Sequence, residues 1–100
     1  MYTTLPNKAQ AKDVAKKLVE RKLIACANIS EKITSIYEWK GEICEESESS
    51  VIMKTSKEKV EELKESIIEL HPYECPAVLC IPIIEGHAKF LDWVGEQVKI

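Results

Sequence analysis

The sequence predicts a single α+β domain whose elements run β-α-β-β-α-β and end in a further helix. Three observations carry that prediction. Two amphipathic helical stretches, each preceded by capping-box spacing, alternate with β-prone runs. A Lys40-Gly41-Glu42 turn joins two long strand-like segments into a hairpin. After a loop bounded by prolines, the apolar run Ala77 to Ile84 supplies a last strand.

Each element follows from its residues. Tyr2-Thr3-Thr4-Leu5 is β-prone and stops at Pro6. Asn7 offers an N-cap with Gln10 three residues on, and Ala11, Val14, Ala15, Leu18 and Val19 then mark one face of a helix whose other face is charged. Ile24 to Ile29 and Ile33 to Trp39 read as strand; alternation puts Ile33, Ser35, Tyr37 and Trp39 on one face and Thr34, Ile36 and Glu38 on the other. The return strand runs from about Ile43 to Thr55, long enough for the hairpin to project beyond so small a domain. Thr55 and Glu58 form a second capping box, followed by Val60, Leu63, Ile67 and Leu70 at helical spacing. Pro72 ends that helix before His71. Ala77 to Ile84 reads as a strand buried on both sides, with Pro82 marking an edge or bulge, and Cys80 as core. Phe90, Leu91, Val94 and Val98 share one face of the last helix. The order is that of a ferredoxin-like split βαβ sandwich with a long β-hairpin, whose four-stranded sheet carries two helices on one face and leaves the other bare. Covering that face predicts oligomerisation.

Composition narrows the function classes. One hundred residues, 45% of them hydrophobic and 31% charged, make one domain over residues 1–100 with a modest core. A net charge of −3, with Lys alternating with Glu, argues against nucleic acid. No apolar run approaches the roughly 18 residues that span a bilayer, and the N-terminal segment does not read as a signal, so the expected compartment is the cytoplasm. Cys26, Cys44, Cys75 and Cys80 lack CxxC spacing and are expected to be reduced.

The densest chemistry is "HPYECP", His71 to Pro76, which sets an imidazole, a phenol, a carboxylate and a thiol in one loop. His71, Glu74 and Cys75 are the candidate metal ligands, weighed against a plain reading of His71 as a helix C-terminal cap. Cys75 is the most available thiol, but Glu74 beside it opposes thiolate formation, and no local Gly-rich turn supplies oxyanion donors. Cys26 reads as a small buried strand residue. His87, at the start of the last helix, reads as solvent-exposed. Glu42, Glu45, Glu46 and Glu48 read as a solvated hairpin tip that resists edge-to-edge pairing. Tyr37 and Trp39 read as core or subunit-interface aromatics.

Several segments together resemble the CutA family of divalent-cation-tolerance proteins: "ACANI" at Ala25 to Ile29, "SIYEWKGEI" at Ser35 to Ile43, "IMKT" at Ile52 to Thr55, "HPYECP", and "FLDWV" at Phe90 to Val94. Their order and spacing cover essentially the whole chain. The resemblance implies a fold close to the PII signalling proteins, a homotrimer in which long hairpin strands pair between subunits, a cytoplasmic location, and tolerance of copper and other divalent metals without an enzymatic reaction. In copper-associated bacterial members a Cys ends the first strand, two histidines precede the Pro-Tyr, and an acidic residue follows the second proline. Thr3, Leu70-His71 and Ala77 stand at those places here, so only His71 is kept. Tyr37, Trp39, Lys54 and Tyr73 match family positions and are the candidates for an inter-subunit cleft that takes a metal ion or small anion. The alternatives are a metal carrier using His71 with a thiol, and a Cys-dependent enzyme.

Overall fold

The structure, a computed structural model, describes residues 1–99. Strand β1 (Tyr2–Leu5) leads into helix α1 (Lys8–Glu20), where Asn7 caps as its spacing predicts: its Oδ1 accepts from the Gln10 N–H at 2.9 Å. Gln10 answers with its side chain, accepting from Asn7 Nδ2 at 3.0 Å rather than from the backbone. Strands β2 (Cys26–Trp39) and β3 (Glu42–Lys54) then form the long hairpin. Its turn is Lys40-Gly41, both at positive φ (52° and 82°), the twist that suits a two-residue connection.

The two strand-like runs of the first arm are one strand carrying a β-bulge. Ser30 pairs with Ser50 and Ile33 with Glu48, so Glu31 and Lys32 oppose a single residue, with Lys32 at φ 60°. Beyond the bulge Ile33, Ser35, Tyr37 and Trp39 lie opposite Glu48, Glu46, Cys44 and Glu42, on the shared face that alternation assigns. The hairpin stretches the molecule to 45 × 26 × 22 Å.

The second capping box does not form. Thr55 instead donates its hydroxyl to the Leu23 carbonyl at 2.7 Å, supplying a donor to a buried backbone acceptor, and the chain enters helix α2 (Val60–Leu70) through a 3-10 turn at Lys57–Lys59. Helix α2 ends at Leu70, and His71 adopts extended dihedrals (φ −79°, ψ 137°), as Pro72 requires. Strand β4 is much shorter than its apolar run: only Val78–Leu79 is strand, where β1 offers Thr3 and Tyr2 as partners. Beyond Leu79 no strand among the described residues pairs with the chain, and Pro82 cannot donate to a ladder. The expected burial fails with it. Ile83 is 70% and Ile84 96% exposed, and Cys80 is exposed rather than core. Cys26 is likewise half-buried. Helix α3 (Ala88–Gln97) follows; Val94 and Val98 pack on Ala25, but Phe90 and Leu91 on the same expected face stay about two-fifths exposed.

The sheet order is β2-β3-β1-β4, all pairs antiparallel, which is the expected split βαβ topology. Its helix-covered face holds the core: Leu5, Val51 and Met53 meet Val14 and Leu18 of α1 and Leu63 and Ile67 of α2. Tyr2, Thr4, Ser50 and Ile52 point to the opposite face, where Ile52 is half-exposed.

Candidate functional site

The HPYECP loop leaves α2 and reaches across the open face of the sheet. His71 is 8% exposed, and its ring does not cap the last helical carbonyls. Nε2 instead donates to the Thr4 carbonyl of β1 at 2.6 Å, and Nδ1 accepts from the Tyr73 N–H at 3.2 Å. A carbonyl can only accept and an amide N–H can only donate, so the imidazole is neutral with its proton on Nε2. The Tyr73 ring packs on His71 with centroids 4.8 Å apart.

Tyr73 then reaches β3, its phenol donating to Glu48 Oε2 at 2.7 Å. Glu48 is only 9% exposed. Burial pushes its carboxyl pKa up, but hydrogen bonding from Ser35, Tyr73 and Thr4 outweighs burial and holds it below the usual carboxylate range. Tyr73 is pushed well above the usual phenol range, first by burial and then by its bond to Glu48. One residue of the acidic string is therefore a buried, ionised anchor rather than part of a solvated tip. Residue type and spacing gave no hint of it. The hairpin register carries the signal, because counting back from the Lys40-Gly41 turn places Glu48 one residue beyond Ser49, the partner of Leu5, where the hairpin leaves the end of β1.

Glu74 and Cys75 lie exposed in the same loop, while the ring nitrogens of His71 turn to Thr4 and Tyr73. Among the described residues no three His, Cys, Asp or Glu side chains stand close enough together to hold a metal ion. Thr3 is fully buried on the helix side of the sheet with its hydroxyl unpartnered.

The four cleft candidates are strung along the open face. Lys54 pairs with Cys26 at the base of the hairpin and its ammonium donates to Asn28 Oδ1. Glu48, where Tyr73 arrives, lies six residues along β3, about 20 Å away at 3.3 Å per residue. Tyr37 and Trp39 sit further out, about half exposed. Partial burial and the Glu46 carboxylate beside it push the Tyr37 phenol up. Within one chain the four do not converge, so a cleft containing all of them takes residues from more than one copy.

Among the described residues no helix is long and apolar enough to cross a membrane. The family description "CutA1 divalent ion tolerance protein" matches residues 1–97. A CutA homolog of Xenopus laevis is 48% identical over 97 residues, 97% of this chain and 64% of that protein. The chain thus spans just under two-thirds of that relative's length. The crystal structure of the divalent ion tolerance protein CutA1 from Ehrlichia chaffeensis superimposes with a TM-score of 0.95 at 38% identity, covering 99% of this chain and 92% of that one. A PII-like CutA protein from Nostoc, solved in apo form, gives a TM-score of 0.90 at 37% identity, covering 97% and 93%.

Proposed function

The chain belongs to the CutA1 divalent ion tolerance family, and from that premise we propose that it acts in the cytoplasmic response to divalent metal ions, copper among them, as a homotrimer that binds and signals without catalysing a reaction. The observation that carries the assembly is the pair of open sheet edges. The order β2-β3-β1-β4 leaves β2 unpaired on one side and β4 on the other. Beyond β4 runs the exposed apolar segment Cys80 to Ile84. Beside β2 lies an apolar groove floored by Ala15, Val19, Ala27 and Ile29. Edges of opposite kind join head to tail, and such contacts make a cyclic ring where the rotation closes, not a face-to-face dimer. The ring also brings the open face of one copy towards the hairpin of another, which gives Tyr37, Trp39, Lys54 and Tyr73 a shared cleft. Sedimentation at micromolar concentration tests this; a stable monomer would overturn it.

The exposure of Cys75 beside Glu74 favours a second reading, a metal carrier using His71 and a thiol. Calorimetric titration with Cu(I) and Zn(II) under reducing conditions separates the two. Stoichiometric micromolar binding lost in both His71→Ala and Cys75→Ser supports the carrier, and binding that survives Cys75→Ser removes it.

A further inference from the structure

We propose that the HPYECP loop is a latch on the hairpin: Tyr73 holds the outer arm of β2 and β3 in one pose about the Glu31-Lys32 bulge, and displacing the loop frees the arm to swing. The arm begins where β1 ends. Leu5, the last residue of β1, pairs with Ser49, so from Ile33 opposite Glu48 out to Trp39 opposite Glu42 the two strands pair only with each other. None of their side chains joins an apolar cluster of the described residues, and Glu48 is the one buried residue among them. A two-stranded ribbon without a packed face is held in place weakly. The bulge at its root interrupts the ladder and is the natural pivot. Over an arm of about 20 Å, at about 3.3 Å per residue, a swing of about 10° carries the tip about 3 Å.

Side chains of the body reach the root of this arm from both faces of the sheet. On the helix side Lys8 meets Glu31 at 3.9 Å, but both ends are about half exposed and such a pair contributes little. On the open side the Tyr73 phenol donates at 2.7 Å to Glu48 Oε2, on a residue that is 9% exposed. Thr4 of β1 and Ser35 of the arm also bond this carboxylate, but both belong to the sheet; Tyr73 alone of the three sits on a loop. Tyr73 is in turn set by His71. Its N–H donates to Nδ1 at 3.2 Å, the rings pack with centroids 4.8 Å apart, and Nε2 donates to the Thr4 carbonyl at 2.6 Å. Pro72 and Pro76 fix φ on either side and stiffen the segment between them. Pro72, Glu74 and Cys75 are exposed, so lifting Tyr73 away opens none of the apolar core. The position of the loop is thereby read out at the far end of the hairpin. Where copies meet through the hairpin, as in the assembly proposed above, the latch sets the contact between them; that consequence rests on the assembly reading, and the latch itself does not.

Hydrogen exchange of the whole chain, read by mass spectrometry peptide by peptide, tests the latch. Tyr73→Phe, which removes one hydrogen bond to a charged acceptor, speeds exchange of the amides from Ile33 to Glu48 about tenfold and leaves those of α1, α2 and Val51 to Met53 at wild-type rates. Lys8→Ala, which cuts the exposed tie, leaves the arm as in wild type. An arm unchanged in Tyr73→Phe would overturn the proposal. So would a rise of equal size throughout the chain, because the bond would then support the fold as a whole, and so would a rise in Lys8→Ala matching that in Tyr73→Phe. Sedimentation of the same samples keeps the two readings apart: a wild-type monomer with the arm-specific rise supports the latch and removes the assembly, whereas an intact oligomer without that rise does the reverse.

Discussion

Deleting a single oxygen, in Tyr73→Phe, isolates the bond that ties the HPYECP loop to the hairpin. The lost contact is a phenol donating at 2.7 Å to a carboxylate that is 9% exposed. A hydrogen bond to a charged partner contributes about 1.5–3 kcal/mol in protected surroundings. Tyr73 is only half-buried and water reaches part of the vacated site, so the expected loss is about 1–2 kcal/mol near neutral pH. The loss depends on pH with a definite sign. The folded Glu48 carboxyl lies below its ordinary value, so its contribution is fully present above the unfolded pKa of about 4.3 and disappears as pH falls through the lower folded value. The gap between wild type and variant is therefore widest near neutrality and shrinks as pH falls below about 4.3 into the acid range, where the folded carboxyl also takes up its proton. Urea unfolding of both proteins at the two pH values, at one fixed protein concentration because assembly makes stability concentration-dependent, measures it. A gap of only a few tenths of a kcal/mol near neutrality, or one of equal size at both pH values, would refute the reasoning.

Thr3→Val should stabilise the protein by about 1 kcal/mol, because the native hydroxyl is buried without a partner and valine has the same shape; thermal unfolding reads the gain. In Gly41→Ala no atom lies within 4 Å of the added carbon, so the cost is that of φ 82° alone, about 1 kcal/mol, measured by urea unfolding. Ile83→Asp places a charge on a side chain that is 70% exposed in the single chain; far-ultraviolet circular dichroism should be unchanged while sedimentation shows smaller species.

Local signals decided which parts of the fold were legible in the sequence. The cap at Asn7, the turn at Lys40-Gly41 and the stop at Pro72 each act within a few residues, and all three stand where the residues place them. Ala77 to Ile84 misled for a physical reason: apolar composition reports that a segment is covered, whereas strand geometry needs a hydrogen-bonding neighbour, and β1 supplies one only as far as Leu79. Thr55 misled because capping spacing cannot reveal that the Leu23 carbonyl competes for the same hydroxyl. At the candidate site, His71 and Tyr73 stood out as a cluster. Glu48 did not, because its environment is made by β1, β2 and the loop together.

The bulge at Glu31 and Lys32 works as a phase shifter. Below it the even-numbered residues Cys26, Asn28 and Ser30 share the open face with β3; above it the odd-numbered Ile33, Ser35, Tyr37 and Trp39 do. Pairing Glu31 and Lys32 one-to-one with β3, without deleting either, would instead slip the outer register by one residue and turn Ile33, Ser35, Tyr37 and Trp39 to the opposite face. Which chemistry the outer hairpin shows to a neighbour thus depends on one extra backbone unit far from the aromatic and acidic residues, as well as on those residues themselves.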